Sequence, residues 1–119
     1  MSITTWKKEF YGSLKEASKS DVKALKHGIR KWTGLLPKNL EKHGVFREEY
    51  YFITDTVNTF EIDMTTCALC ERHFHVKECS KCPINDCCCD GGPYIKWDEE
   101  GNPRPMIRVL KKALKERIK

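Results

Sequence analysis

The sequence predicts an α+β fold, and three observations predict it. Apolar residues recur at helical spacing through the first 47 positions and again after Asn102. β-Formers alternate with polar residues between about positions 50 and 64. All seven cysteines crowd into positions 67–89. At 119 residues the chain is about one domain long, so a single domain is expected over 1–119. Its parts are a helical portion (1–47), a strand and cysteine portion (48–97) and a C-terminal helix (102–119).

Trp6, Phe10, Leu14 and Ala17 fall three or four residues apart, which predicts a first amphipathic helix ending near Lys19, with Lys7, Lys8, Lys15 and Glu16 on its other faces. Ser20-Asp21 is a start signal for a second helix. Its apolar stripe is Val22, Leu25, Ile29, Trp32 and Leu36, and its wet side is Lys23, Lys26, Arg30 and Lys31. Pro37 suits the first position of a short helix over 37–43, which Gly44 is placed to end.

Residues 50–54 are rich in β-formers, and Phe60, Ile62 and Met64 alternate with Glu61 and Asp63, so a small antiparallel sheet is expected to lead into the cysteine segment. Asp90-Gly91-Gly92-Pro93 is a turn by composition, residues 94–97 suit a strand or packing edge, and residues 98–101 suit a solvated loop. Asn102 can cap a last helix, since Pro103 and Pro105 are tolerated in a first turn. Ile107, Leu110, Leu114 and Ile118 form its stripe, and Arg108, Lys111, Lys112, Lys115 and Lys119 surround it. Cations near a helix C-terminus complement its dipole, so this basic face is first of all a solvated one.

The net charge of +5 is uneven: residues 1–47 carry +7, 48–66 carry −5, 67–90 carry −1 and 91–119 carry +4. That bias is too small to diagnose nucleic-acid binding and has the wrong sign for a DNA mimic. No apolar run approaches the ~18 residues of a membrane span, and the first eight residues lack the apolar stretch of a secretion signal. A cytoplasmic location is therefore expected, where thiols stay reduced.

In that setting Cys67-Ala68-Leu69-Cys70 and Cys79-Ser80-Lys81-Cys82 are two Cys-x-x-Cys units. Such pairs bring four thiolates onto one tetrahedral Zn²⁺, because two intervening residues let a tight turn aim both sulfurs at one point. The expected site is a structural zinc-ribbon or knuckle-like centre formed by Cys67, Cys70, Cys79 and Cys82, with residues 71–78 connecting its halves. Cys87 or Cys89 can substitute for one of the four. A second ion bound by some of Cys87, Cys88 and Cys89 with His73 and His75 stays open, although two exposed histidines on the connecting hairpin are the simpler reading. An iron–sulfur cluster is the inorganic rival, and it would colour the protein.

Four thiolates would close the coordination shell and weaken the metal as a Lewis acid, and nothing in the sequence supplies a base, an oxyanion site or a nucleotide loop. No enzymatic activity is expected.

The Cys-Ala-Leu-Cys unit at 67–70 is followed by Cys79–Cys82 with Pro83-Ile84, then Cys89, Pro93-Tyr94 and Trp97, and it is preceded by Lys31-Trp32-Thr33-Gly34-Leu35-Leu36-Pro37-Lys38-Asn39-Leu40. Over about residues 22–97 this pattern resembles a group of small proteins encoded by bacteriophages and prophages, to which no established activity attaches. The cluster at 87–89 departs from the single cysteine of that group, and Cys89 is matched by its distance to Pro93-Tyr94. The resemblance implies a short accessory protein that binds a host protein, of defence or other machinery, in the bacterial cytoplasm. The alternative is a nucleic-acid-binding or transcription-regulating protein, in which the knuckles present Arg72, Lys77 and Lys81 while Lys-rich helices contact phosphates.

Overall fold

The computed structural model describes residues 2–48, 52–62, 66–73, 97 and 99–117. Over these it has the expected α+β composition. Helices α1 (Ile3–Phe10), α2 (Leu14–Ala17), α3 (Asp21–Gly34) and α4 (Pro37–Lys42) come first. Strands β1 (Phe46–Arg47), β2 (Phe52–Thr54) and β3 (Thr59–Glu61) follow, and then α5 (Ala68–His73) and α6 (Arg104–Arg117).

Serine starts each of the first three helices, its hydroxyl accepting from an otherwise unpaired amide of the first turn. The Ser2 hydroxyl accepts from the Thr5 amide at 3.2 Å, that of Ser13 from Glu16 at 3.2 Å and that of Ser20 from Lys23 at 3.1 Å. Thr5 answers reciprocally, accepting from the Ser2 amide at 3.0 Å to complete a capping box.

The single helix expected from Trp6 to Ala17 is two. Gly12 takes φ +67°, a conformation that ends α1, and Ser13 then caps α2 in a new direction. Apolar spacing carried across the break because α1 and α2 both pack against α3.

Helix α3 is the centre of the molecule: α1, α2, α4, α5 and α6 all pack against it. Small residues allow the close approaches. A Cβ on Gly34 would stand 2.4 Å from Phe10 Cγ, and one on Gly28 would stand 3.2 Å from Leu110 Cδ1. The buried face is accordingly wider than the predicted stripe and includes Ala24, Leu25, His27, Lys31, Trp32 and Gly34. Lys31, expected on the wet side, is only 2% exposed. Leu36 leaves the helix to become the N-cap residue of α4, which Pro37 opens, and Gly44 at φ +66° follows that helix as expected.

The three strands pair antiparallel in the order β1-β2-β3, with Phe46 opposite Thr54 and Ile53 opposite Phe60. Asp55 shapes the β2–β3 turn by accepting from the amides of Val57 and Asn58 at 2.9 and 2.7 Å. Its second oxygen accepts from the Ile3 amide at 2.8 Å, tying the turn to the start of α1. Ile62 is buried as the alternation predicted, while Tyr50, Tyr51 and Met64 lie outside the described residues.

Helix α6 begins after Asn102, whose side-chain oxygen accepts from the Arg104 amide at 3.1 Å. It buries Met106, Leu110 and Ala113, with Ile107 and Leu114 at the margin of that face; Ile118 lies outside the described residues. The expected loop before it is partly helical: Glu99 and Glu100 are helical and exposed, and the Gly101 amide donates to the Trp97 carbonyl at 2.9 Å. One hydrophobic core joins these elements, with Trp6, Leu25, Leu35, Ile53, Ile62, Leu69, Trp97 and Leu110 fully buried.

Candidate metal centre

The first Cys-x-x-Cys unit is the opening turn of a helix, where a knuckle-like turn was expected. Cys67 precedes α5 and its carbonyl accepts from the Glu71 amide at 2.9 Å, while Cys70 is the third helical residue. This places the Cys67 sulfur in the N-cap role, where the amides of Leu69 and Cys70 point at it. Both cysteines are half-buried, and they are not joined to each other as a disulfide.

The Cys67 thiol is brought down to about 5 from its ordinary value near 9. The largest cause is a hydrogen bond from the Cys70 side chain. Burial opposes the shift, and the Lys31 ammonium and the Cys70 and Leu69 amides add to it. The thiolate, the form that binds metal, is thereby favoured at neutral pH.

Helix α5 is held against α3 in two places. Ala68 and Leu69 are buried in the core, and Lys31 Nζ donates to the Thr66 carbonyl, one residue before Cys67, at 3.2 Å. At the other end, Asp21 Oδ1 accepts from Arg72 Nε at 2.7 Å and lies 2.8 Å from His73 Nε2. Arg117 from α6 approaches Asp21 Oδ2 at 3.4 Å. Burial raises the Asp21 carboxyl, but the bonds from His73 and Arg72 outweigh it and the net shift is downward.

That cluster changes the reading of two predicted residues. His73 is buried at the end of a helix with its ring on Asp21, so it is not an exposed hairpin residue. Arg72, offered above as a phosphate contact, spends its guanidinium on Asp21 and on the carbonyls of Ser18 and Lys19.

Cys79, Cys82, Cys87, Cys88 and Cys89, with His75, Lys77 and Lys81, lie outside the described residues. Among the described residues no group of three or more His, Cys, Asp and Glu side chains converges as a metal site. The pair Cys67 and Cys70 fits half of a tetrathiolate centre: two soft donors on one helical turn, mutually hydrogen-bonded, with a cation and two amides favouring negative sulfur.

Lys31 is the site residue that sequence reasoning missed. The signal was Ala24, Gly28 and Gly34 on α3, small residues that mark a helix buried on more than one side. No protein family, curated protein or solved structure matches the chain. Among the described residues no helix is long and apolar enough to cross a membrane.

Proposed function

We propose that the chain is a zinc-stabilised accessory protein that acts by binding another protein, of the kind bacteriophages direct at host or host-defence proteins in the bacterial cytoplasm. Zn²⁺ would be held by Cys67, Cys70, Cys79 and Cys82, with Cys87 or Cys89 as substitutes, and its role would be structural. The observation that carries the metal reading is the Cys67–Cys70 pair at the start of α5, tuned toward thiolate by its own hydrogen bonds. A metal closing the chain downstream of α5 adds the stability that a 119-residue domain otherwise has little of.

Binding of a protein is supported by Phe46 on the edge strand β1 and Val57 at the β2–β3 turn, which leave 47% and 84% of their surfaces exposed. Affinity purification from the native host with and without nuclease tests this reading. A protein partner that survives nuclease treatment and raised salt supports it, and a partner lost on nuclease treatment counts against it.

A second reading, nucleic-acid binding, rests on the exposed basic face of α6. Arg104 and Arg108 stand with Lys38 around an open groove of about 530 Å³ between α4 and α6, and Lys111, Lys112 and Lys115 continue that basic helix. Its signature would be an affinity that falls steeply with salt.

A further inference from the structure

Arg104, Arg108, Lys111 and Lys115 follow one another at four, three and four residues along α6, so they share one exposed face of that helix over about 16 Å. Like charges at these spacings repel, and Glu116, the one acidic residue of α6, falls outside the stripe. At its N-terminal end the groove between α4 and α6 adds the exposed Lys38, and its remaining walls are the aliphatic Leu36, Pro37 and Ile107. Among the described residues no carboxylate lines the groove, and none of these five cations makes an ion pair or a side-chain hydrogen bond.

The other arginines of the chain are all engaged within the protein. Arg30 bonds the Glu9 carbonyl, Arg47 the Trp97 carbonyl, and Arg72 and Arg117 reach the Asp21 carboxylate. An aliphatic recess ringed by unneutralised cations is complementary to an apolar side chain flanked by carboxylates. We propose that the groove and its basic stripe receive an acidic segment of the partner protein. An apolar anchor residue seats on Leu36, Pro37 and Ile107, and carboxylates pair with Lys38, Arg104 and Arg108 and continue along Lys111 and Lys115.

This rests on the protein-binding reading above and gives the partner its chemistry. The walls favour a polypeptide over a nucleic acid, because unpaired bases are held by stacking on aromatic rings and none lines the groove. A duplex would engage the cations through its phosphates and leave the aliphatic recess unfilled.

The probe is a random dodecapeptide library selected on the full-length protein, with enriched peptides then measured by fluorescence anisotropy. Peptides that set an apolar residue beside Asp or Glu are expected to be enriched. Their affinity is expected to fall roughly 10-fold in Lys38→Glu and in Arg108→Glu. It should hardly change in Lys15→Glu, which makes the same change of net charge on α2, outside the groove. All three sites are exposed, and circular dichroism checks that the variants fold.

No enrichment of acidic peptides, or an equal loss in Lys15→Glu, overturns the proposal. So does binding of a thymidine dodecanucleotide in their place, or a dimer of this chain that Arg108→Glu dissociates. A native partner that survives nuclease treatment and binds Lys38→Glu and Arg108→Glu as well as wild type overturns the groove assignment and leaves the protein-binding reading standing. Loss of every partner on nuclease treatment overturns both.

Discussion

Trp97 meets Trp32 edge to face, with ring centroids 5.6 Å apart and both side chains buried. Lys31 and Trp32 are neighbours on α3, and each holds one end of the segment that contains the cysteines. Lys31 bonds the carbonyl of Thr66 just before it, and Trp32 packs on Trp97 just after it. Arg47 reinforces the second end, its guanidinium 5.7 Å from the Trp97 ring and donating to the Trp97 carbonyl at 3.3 Å.

Trp97→Ala is therefore expected to destabilise the protein by about 3–5 kcal/mol, the range for emptying a buried aromatic site. Trp97→Phe is expected to cost less, since the indole N–H it removes is buried without a hydrogen-bond partner among the described residues. Urea unfolding of both variants checks this, and equal losses would mean that the ring's volume is not what matters at this position.

His27 predicts a pH dependence. Its ring is buried edge-on against Tyr11, with ring centroids 4.6 Å apart. Burial first, and then the charges of Lys31 and Arg30, outweigh a hydrogen bond with the Tyr11 backbone and push it down to about 4. Above its ordinary value of 6.5 both folded and unfolded chains hold it neutral and stability is flat. As pH falls from 6.5 toward 4 only the unfolded chain takes up the proton, so about 3 kcal/mol is lost across that window. His27→Leu is expected to flatten this limb relative to wild type in denaturant midpoints measured against pH. The difference between the two proteins isolates His27 from the protonation of cysteines over the same range.

The two close helix crossings separate by a single methyl group. Gly34→Ala would drive a Cβ into the Phe10 ring base at 2.4–2.5 Å and is expected to cost about 1–3 kcal/mol. Gly28→Ala meets the methyl groups of Leu110 at the longer distances of 3.2 and 3.3 Å. There a gain in helix propensity of up to about 1 kcal/mol offsets the crowding, leaving a near-neutral change. Melting curves for the pair check the contrast.

Asp21→Asn removes the negative charge that gathers Arg72, His73 and Arg117 from α5 and α6 onto the start of α3. A loss of about 1–3 kcal/mol is expected, as for hydrogen bonds to a charged group. Because the Asp21 carboxyl is held below its ordinary value, its contribution is complete above pH 3.8 and disappears as pH drops through the lowered value. Chemical denaturation at pH 7 and at successively lower pH should show the wild type and variant converging as the Asp21 carboxyl becomes protonated.

Much of the helical architecture was legible because local signals and tertiary packing agree there. Ser20 capped α3, Pro37 opened α4, Gly44 followed it and Asn102 preceded α6, each by chemistry confined to a few residues. The break at Gly12 was missed because apolar spacing continues through it while the backbone does not. Lys31 was misplaced for a related reason. A lysine beside a tryptophan on a basic helix resembles a solvated face until α5 is laid over it. Of the candidate centre, only Cys67 and Cys70 fall among the described residues; that this pair opens a helix was missed because the paired Cys-x-x-Cys spacing was read as a turn, although Ala68 and Leu69 are strong helix formers.

The most direct measurement is the metal content of freshly purified protein kept reduced, by elemental analysis and native mass spectrometry, for wild type, Cys67→Ser and Cys82→Ser. The account predicts one zinc per wild-type chain, and zinc and thermal stability lost together in both variants. Absence of metal with cysteines joined as disulfides, or full zinc and unchanged melting in both variants, would contradict it.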